Sequence, residues 1–216
     1  MAIKKTSDTI EIRPLNIQRI QLRLVGDTPL IMHAWSEKAK RQMLEAQMGL
    51  KKGKQKDLKN PVEDFINSMY WLEGKPEAYT EEAFQDAIDG GARFGFPVTA
   101  IKQAAISAAY RQGWSKNKVQ LQGEMFIESD ENGFVEIKSN PPIMREDMVK
   151  VGMGTADIRY RGEFRNWSAD ITMRYNANSQ FSLENLVNIM NAGGFFCGIG
   201  EWRPEKGGTN GMYHVE

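Results

Sequence analysis

The 216-residue sequence predicts an α+β domain, and three observations carry the prediction. Ile20, Leu22 and Leu24 alternate with Arg19, Gln21 and Arg23, and Ala169, Ile171, Met173 and Tyr175 alternate in the same way, the period-two signature of strands with one wet face. Two later segments instead space their apolar residues helically: Ile101, Ala104, Ala105 and Ala108, then Leu183, Leu186, Val187 and Met190. With a short strand after each helix, the order becomes strand, helix, strand, strand, helix, strand. That is the ferredoxin-like (RRM-like) plan of an antiparallel sheet with two packing helices. At 41% apolar residues the chain can fill a real core, and residues 1–216 are read as a single domain.

Each element follows from its own residues. "GDTPL" breaks the first strand. "SEKAKRQMLEAQMGL" places Ala39, Met43, Ala46 and Leu50 on one helical face, with Ser36 as N-cap. "KKGKQKDLKN" has five lysines and no apolar periodicity, so a basic loop is expected. Pro61 suits the first turn of a helix carrying Val62, Phe65, Ile66 and Met69, and Thr80 with Glu81 and Glu82 starts another that ends at "DGG". Residues 36–92 thus form a helical, basic insertion. The alanine stripe after "FP" permits close packing on a sheet, and Gly113 is the expected stop. "KVQLQGEMFIES" alternates at Val119, Leu121, Gly123, Met125 and Ile127 and is read as a strand, with "DENGF" a hairpin turn into "VEIK". Residues 139–165 lack clean periodicity and form a second insertion. Ser182 caps the last helix, which runs into a loop holding seven of the twenty glycines between Gly193 and Gly211, and "GMYHV" closes as a strand.

Formal charge is zero, but it is a cancellation of blocks. Residues 38–59 hold eight Lys/Arg against two acids, residues 61–89 eight acids against Lys75 alone, residues 93–123 five bases and no acid, and residues 124–136 five acids and no base. Such blocks are either solvated faces or basic surface for an anionic polymer with acidic surface that meets a neighbouring copy. The one cysteine, Cys197, forms no intrachain disulfide; no window approaches 18 apolar residues, and "MAIKK" opens no signal sequence. A cytoplasmic protein with no membrane association is expected.

Material for catalysis is sparse. His33, His214 and Cys197 cannot make a zinc site without carboxylates, and neither HExxH nor CxxC occurs, so no metal or other cofactor is expected. Asp27 and His33 are close enough in sequence to serve as acid and base in a metal-independent nuclease. "IRYRGEFRNW" interleaves Arg159, Arg161 and Arg165 with aromatics including Trp167, the combination of backbone-tracking cations and stacking platforms that holds single-stranded nucleic acid. An arginine-rich edge strand with its aromatics in the core fits the same residues. Trp202, Arg203 and Lys206 stand beside the glycine turn of "GIGEWRPEKGG", whose backbone N–H groups can face phosphate or whose glycines can simply pack.

Three stretches together carry a family resemblance. "LRLVGDTPLIMHAW" resembles the first strand and turn of the RAMP superfamily, whose members form the backbone of CRISPR effector complexes. "FPVTAIKQAAISAAY" is similar to that family's helix start, with Pro97, Thr99, Ile101 and Lys102 in matching places, and residues 186–215 to its last helix, glycine-rich loop and closing strand. Residues 139–165 fall where such subunits carry a thumb. "GDTPLIMHAWSEKAK" also resembles small proteins of tailed bacteriophages found with recombination and replication functions. The resemblance implies a non-enzymatic protein that coats single-stranded nucleic acid, DNA in the first instance with RNA the open alternative, as a head-to-tail homo-oligomer. Lys51, Lys52, Lys54, Lys56, Thr99, Lys102, Arg159, Arg161, Arg165, Arg203 and Lys206 would then meet the strand, with Trp167 and Trp202 stacking, while Glu81, Glu82 and Asp86 face the next protomer. The loop glycines would approach the nucleic-acid backbone or the adjacent subunit. Two rivals remain open: an interaction protein for a host defence or replication factor, and the nuclease using Asp27 and His33.

Overall fold

In chain order the elements are β1 (Ile17–Gly26), β2 (Leu30–Met32), α1 (Glu37–Gln47), α2 (Pro61–Asn67), β3 (Tyr70–Glu73), α3 (Glu81–Asp89), β4 (Arg93–Pro97), α4 (Val98–Arg111), α5 (Lys118–Glu124), β5 (Met125–Ile127), β6 (Phe134–Ile137), β7 (Ile143–Val151), β8 (Thr155–Phe164), β9 (Ser168–Asn176), α6 (Leu183–Ala192) and β10 (Tyr213–Val215). The computed structural model describes residues 14–35, 37–49, 59–152 and 154–216. The chain is mixed α+β with antiparallel sheets.

The central sheet runs β10-β1-β9-β5, and every pairing in it is antiparallel. β1 and β9 pair from Ile17 opposite Asn176 to Val25 opposite Ser168. Because successive side chains alternate across a strand, this register puts Leu22, Leu24, Ala169, Ile171, Met173 and Tyr175 on one buried face. α4 and α6 pack into that same core. Ala104, Ala105, Ala108 and Ala109 are all buried, and their small side chains let α4 lie close to its neighbours. Ser182 caps α6 through Asn185 N–H, Thr80 caps α3 through Ala83 N–H, and Asn60 caps α2 ahead of Pro61.

Two three-stranded sheets flank this core, ordered β3-β4-β6 and β2-β8-β7. The second contains the segment without periodicity: residues 143–164 are a long hairpin, paired from Ile143 opposite Glu163 to Val151 opposite Thr155. Its alternation is hidden because one face carries Arg145, Asp147, Arg161 and Glu163, which bury one another's charges rather than apolar carbon. The 36–92 insertion is not purely helical either, since β3 pairs with β4.

Two expectations are corrected. Residues 118–124 form α5 rather than a strand; the Asn117 side chain accepts from Val119 N–H and Gln120 N–H, and a helix turns the two apolar residues to opposite sides, leaving Val119 exposed and Leu121 buried. The "DENGF" turn does form, its Asp130 carboxylate accepting from Asn132 and Phe134 N–H, but it joins no hairpin. β5 pairs with β9 while β6 pairs with β4, so the turn moves the chain from one sheet to another.

Candidate nucleic-acid interface

β2 is the hub of the site. Leu30, Ile31 and Met32 are fully buried, which fixes His33 at the point where the strand leaves the core. The glycine loop crosses β2 from one side, Glu201 N–H donating to Ile31 carbonyl at 2.9 Å and Gly211 N–H to Pro29 carbonyl at 2.8 Å. β8 pairs with the other edge, Met32 opposite Gly162. Those two attachments bring Glu201 and Arg161 to the His33 ring: Nδ1 lies 3.5 Å from Glu201 Oε1 and 3.5 Å from Arg161 Nη2.

Beneath His33 the hairpin root is a charge network. Arg161, 5% exposed, reaches Asp147 at 3.1 Å, and Arg145 bridges Asp147 at 2.8 Å and Glu163 at 3.0 Å. Burial is the largest influence on Asp147 and pushes its carboxyl up, but hydrogen bonds from Arg145, Trp202 and Arg161 together outweigh it and hold the group below the ordinary aspartate range. Glu163 follows the same pattern, with Arg165 and Arg145 as donors. The His33 hydrogen bond is what most lowers the Glu201 carboxyl, against burial and with help from Arg161.

Three cavities meet at His33. One, about 230 Å³, runs towards α4 and the glycine loop past Tyr70, Gln103, Ser107, Glu201 and Arg203. A second, about 410 Å³, lies under the hairpin against Trp35, Asn67, Arg159, Tyr160 and Arg161, with Asp64 at its side. The third, about 580 Å³, is lined by Trp35, Tyr70, Trp71 and Phe134 together with Lys40, Lys75 and Asn67. Among the described residues no carboxylate lines this last cavity. Burial, then the Glu201 charge, pushes the Tyr70 phenol up, so it stays a neutral donor. Aromatic faces beside cations suit bases and phosphates. With His33 common to all three, the cavities line one trough.

The expected site residues scatter around this trough. Arg159 and Arg161 line its middle and Arg203 its glycine-loop end. All three are already paired: Arg159 with Asp157 at 3.0 Å, Arg161 with Asp147, and Arg203 with Glu205 at 3.0 Å. Arg165 is held by Glu163 at 2.7 Å. Lys102 donates to Gln122 carbonyl at 2.7 Å and pins α5 to α4; burial lowers its pKa. Thr99 and Lys206 are exposed away from the trough, and the Trp202 indole is turned to Asp147. Glu81, Glu82 and Asp86 are exposed on α3. Lys51, Lys52, Lys54 and Lys56 lie outside the described residues.

Trp167 is a correction. It is 1% exposed, its Nε1 donates to Thr28 carbonyl at 2.8 Å, and its ring packs edge-on against Tyr213, so it offers no face to a base. The glycine loop is corrected too, because its glycines approach this chain itself: a Cβ on Gly211, whose φ is +68°, would sit 1.7 Å from the Ile199 carbonyl oxygen. Asp27 and His33 do not pair; Asp27 binds His214 at 2.7 Å while His33 meets Glu201. Sequence reading missed Trp35, Lys40, Tyr70, Trp71, Lys75 and Phe134. For all but Phe134 the signal was the pair of aromatic clusters "HAW" and "MYW", each with a lysine a few residues on.

Neither a protein-family model nor a curated protein matches the chain. Among the described residues no helix is long and apolar enough to cross a membrane, and no group of three or more His, Cys, Asp or Glu side chains could hold a metal ion.

Proposed function

We propose that the protein binds single-stranded nucleic acid, DNA in the first instance, along the trough at His33 without catalysing a reaction on it, and that copies assemble head to tail. The observation that carries this reading is the aromatic wall of Trp35, Tyr70, Trp71 and Phe134, with Lys40 and Lys75 lining the same cavity. Stacking on such faces tolerates any base, and the cations track the backbone. The strand order β10-β1-β9-β5, connected through α4 and α6, supports a ferredoxin-like core, since that plan requires each sequence-adjacent helix to cross back over one antiparallel sheet. The hairpin at residues 143–164 supports a RAMP-like scaffold with a thumb beside the trough. A role in phage recombination or replication follows from the same resemblance.

The test is fluorescence anisotropy of a labelled thymidine oligomer titrated with salt, with an RNA oligomer as competitor. Binding should weaken linearly in log–log form, and Lys75→Ala should flatten the slope by about 0.7 for one lost phosphate contact. No binding at low salt, or an unchanged slope in a Lys75→Ala, Arg159→Ala double variant, overturns the reading.

A further inference from the structure

After α6 the chain makes one π-helical turn, Gly193–Cys197. Gly194 lies so close to β10 that a Cβ there would sit 1.9 Å from the Tyr213 carbonyl oxygen. With the backbone seated that tightly, the next two side chains have no interior to enter. Phe195 and Phe196 project outward, 62% and 39% exposed, with their rings edge to face at 5.0 Å. Together with Trp114, Phe181 and Ile189 they line a groove of about 740 Å³, and the rest of its lining is Ala192 and three asparagines, Asn185, Asn188 and Asn191. π-Turns concentrate at functional sites, and firmly held exposed aromatics are the usual anchors of interfaces. No charged side chain among the described residues lines the groove, so it offers a phosphate no counter-charge. Its chemistry fits an apolar protein segment.

The chain carries a segment of that kind. One face of the β7–β8 hairpin presents Met144 and Met148, with Ile158 directly opposite Met148; they are 42%, 77% and 41% exposed. Thioethers pack favourably against aromatic rings and adapt to irregular gaps. β7 is also an outer strand of its sheet, so its free edge shows backbone N–H and C=O groups that asparagine amides can both accept from and donate to.

We propose that the groove formed by Trp114, Phe195 and Phe196 receives the Met144, Met148 and Ile158 face of the hairpin of a second copy. Groove and hairpin are different surfaces, so the contact is heterologous and leaves one of each unfilled at the ends of any chain of subunits. It supplies the contact for the assembly part of the proposed function and rests on that part alone, because it needs no nucleic acid.

Sedimentation velocity of the full chain without nucleic acid, over a range of concentrations, tests it. The wild type should form concentration-dependent oligomers, and Met148→Asp and Phe195→Asp should each weaken association by about tenfold or more. Mixing the two variants should recover a dimer and nothing larger, since only the groove of one and the hairpin of the other are intact. A monomeric wild type, either variant assembling like the wild type, or a mixture that stays monomeric overturns the proposal. Thermal melts check that the variants are folded, with Met148→Ser and Phe195→Ser substituted for any that is not. Oligonucleotide affinity of the monomeric variants is measured separately: its loss would count against the trough, and its retention leaves the assembly result to stand alone.

Discussion

Trp167 packs over the paired ends of β1 and β10, against Gly26 and Tyr213, and Trp167→Ala should cost about 3–5 kcal/mol in denaturant unfolding while the folded remainder binds oligonucleotide normally. Trp35 is 63% exposed on the trough, so Trp35→Ala should leave the unfolding midpoint unchanged and remove about 1–3 kcal/mol of oligonucleotide affinity. Burial reverses the standing of the two tryptophans, because sequence reading set Trp167 on the nucleic acid and passed over Trp35. A melt and a binding titration on the same two proteins distinguish the roles. The opposite pattern for either residue would reassign it. Arg161 divides from Arg159 on the same ground. Arg161 is buried, its Nε without a hydrogen-bond partner among the described residues, whereas Arg159 is 40% exposed and able to exchange Asp157 for a phosphate.

At the scale of elements, the hairpin root and the glycine loop hold the trough open. Removing one partner of a buried ion pair strands the other, at a cost of about 3–5 kcal/mol in general. Asp147 would keep Arg145 and Trp202, so Arg161→Met should destabilise by an amount near the low end of that range. Equilibrium unfolding measures it, and an unchanged midpoint would show that Asp147 does not depend on Arg161. Gly211→Ala should be worse tolerated. The positive φ alone is worth about 1–3 kcal/mol of strain, and the Cβ would meet the Ile199 carbonyl, a backbone atom that cannot swing aside. Because the Gly211 N–H also ties the loop to Pro29, the variant should lose thermal stability and oligonucleotide binding together.

At the scale of the whole molecule, Asp147, Glu163 and Glu201 make acid stability a property of the site. All three carboxyls lie below their ordinary values in the folded protein. The unfolded chain therefore binds more protons as pH falls, so their contribution is complete above about pH 5 and is lost as pH drops through roughly 4 towards the folded values. Melts at pH 7, 5, 4 and 3 should show little change over the first step and a steep fall over the last two; a flat profile would mean the network contributes nothing net. The sequence by itself determined the strands β1 and β9, the helices α4 and α6 and the caps Thr80 and Ser182, because periodicity and capping are local and repeat within one element. It marked residues 139–165 as lacking periodicity while hiding the hairpin within them, since a face of paired charges looks like no face at all. Only the tertiary structure decided which cations already have carboxylates folded against them and which aromatics share a cavity. Lys40 comes from α1, Trp71 from β3, Phe134 from β6 and Arg159 from β8, and a charge or a ring becomes a binding group only through the neighbours that long-range packing gives it.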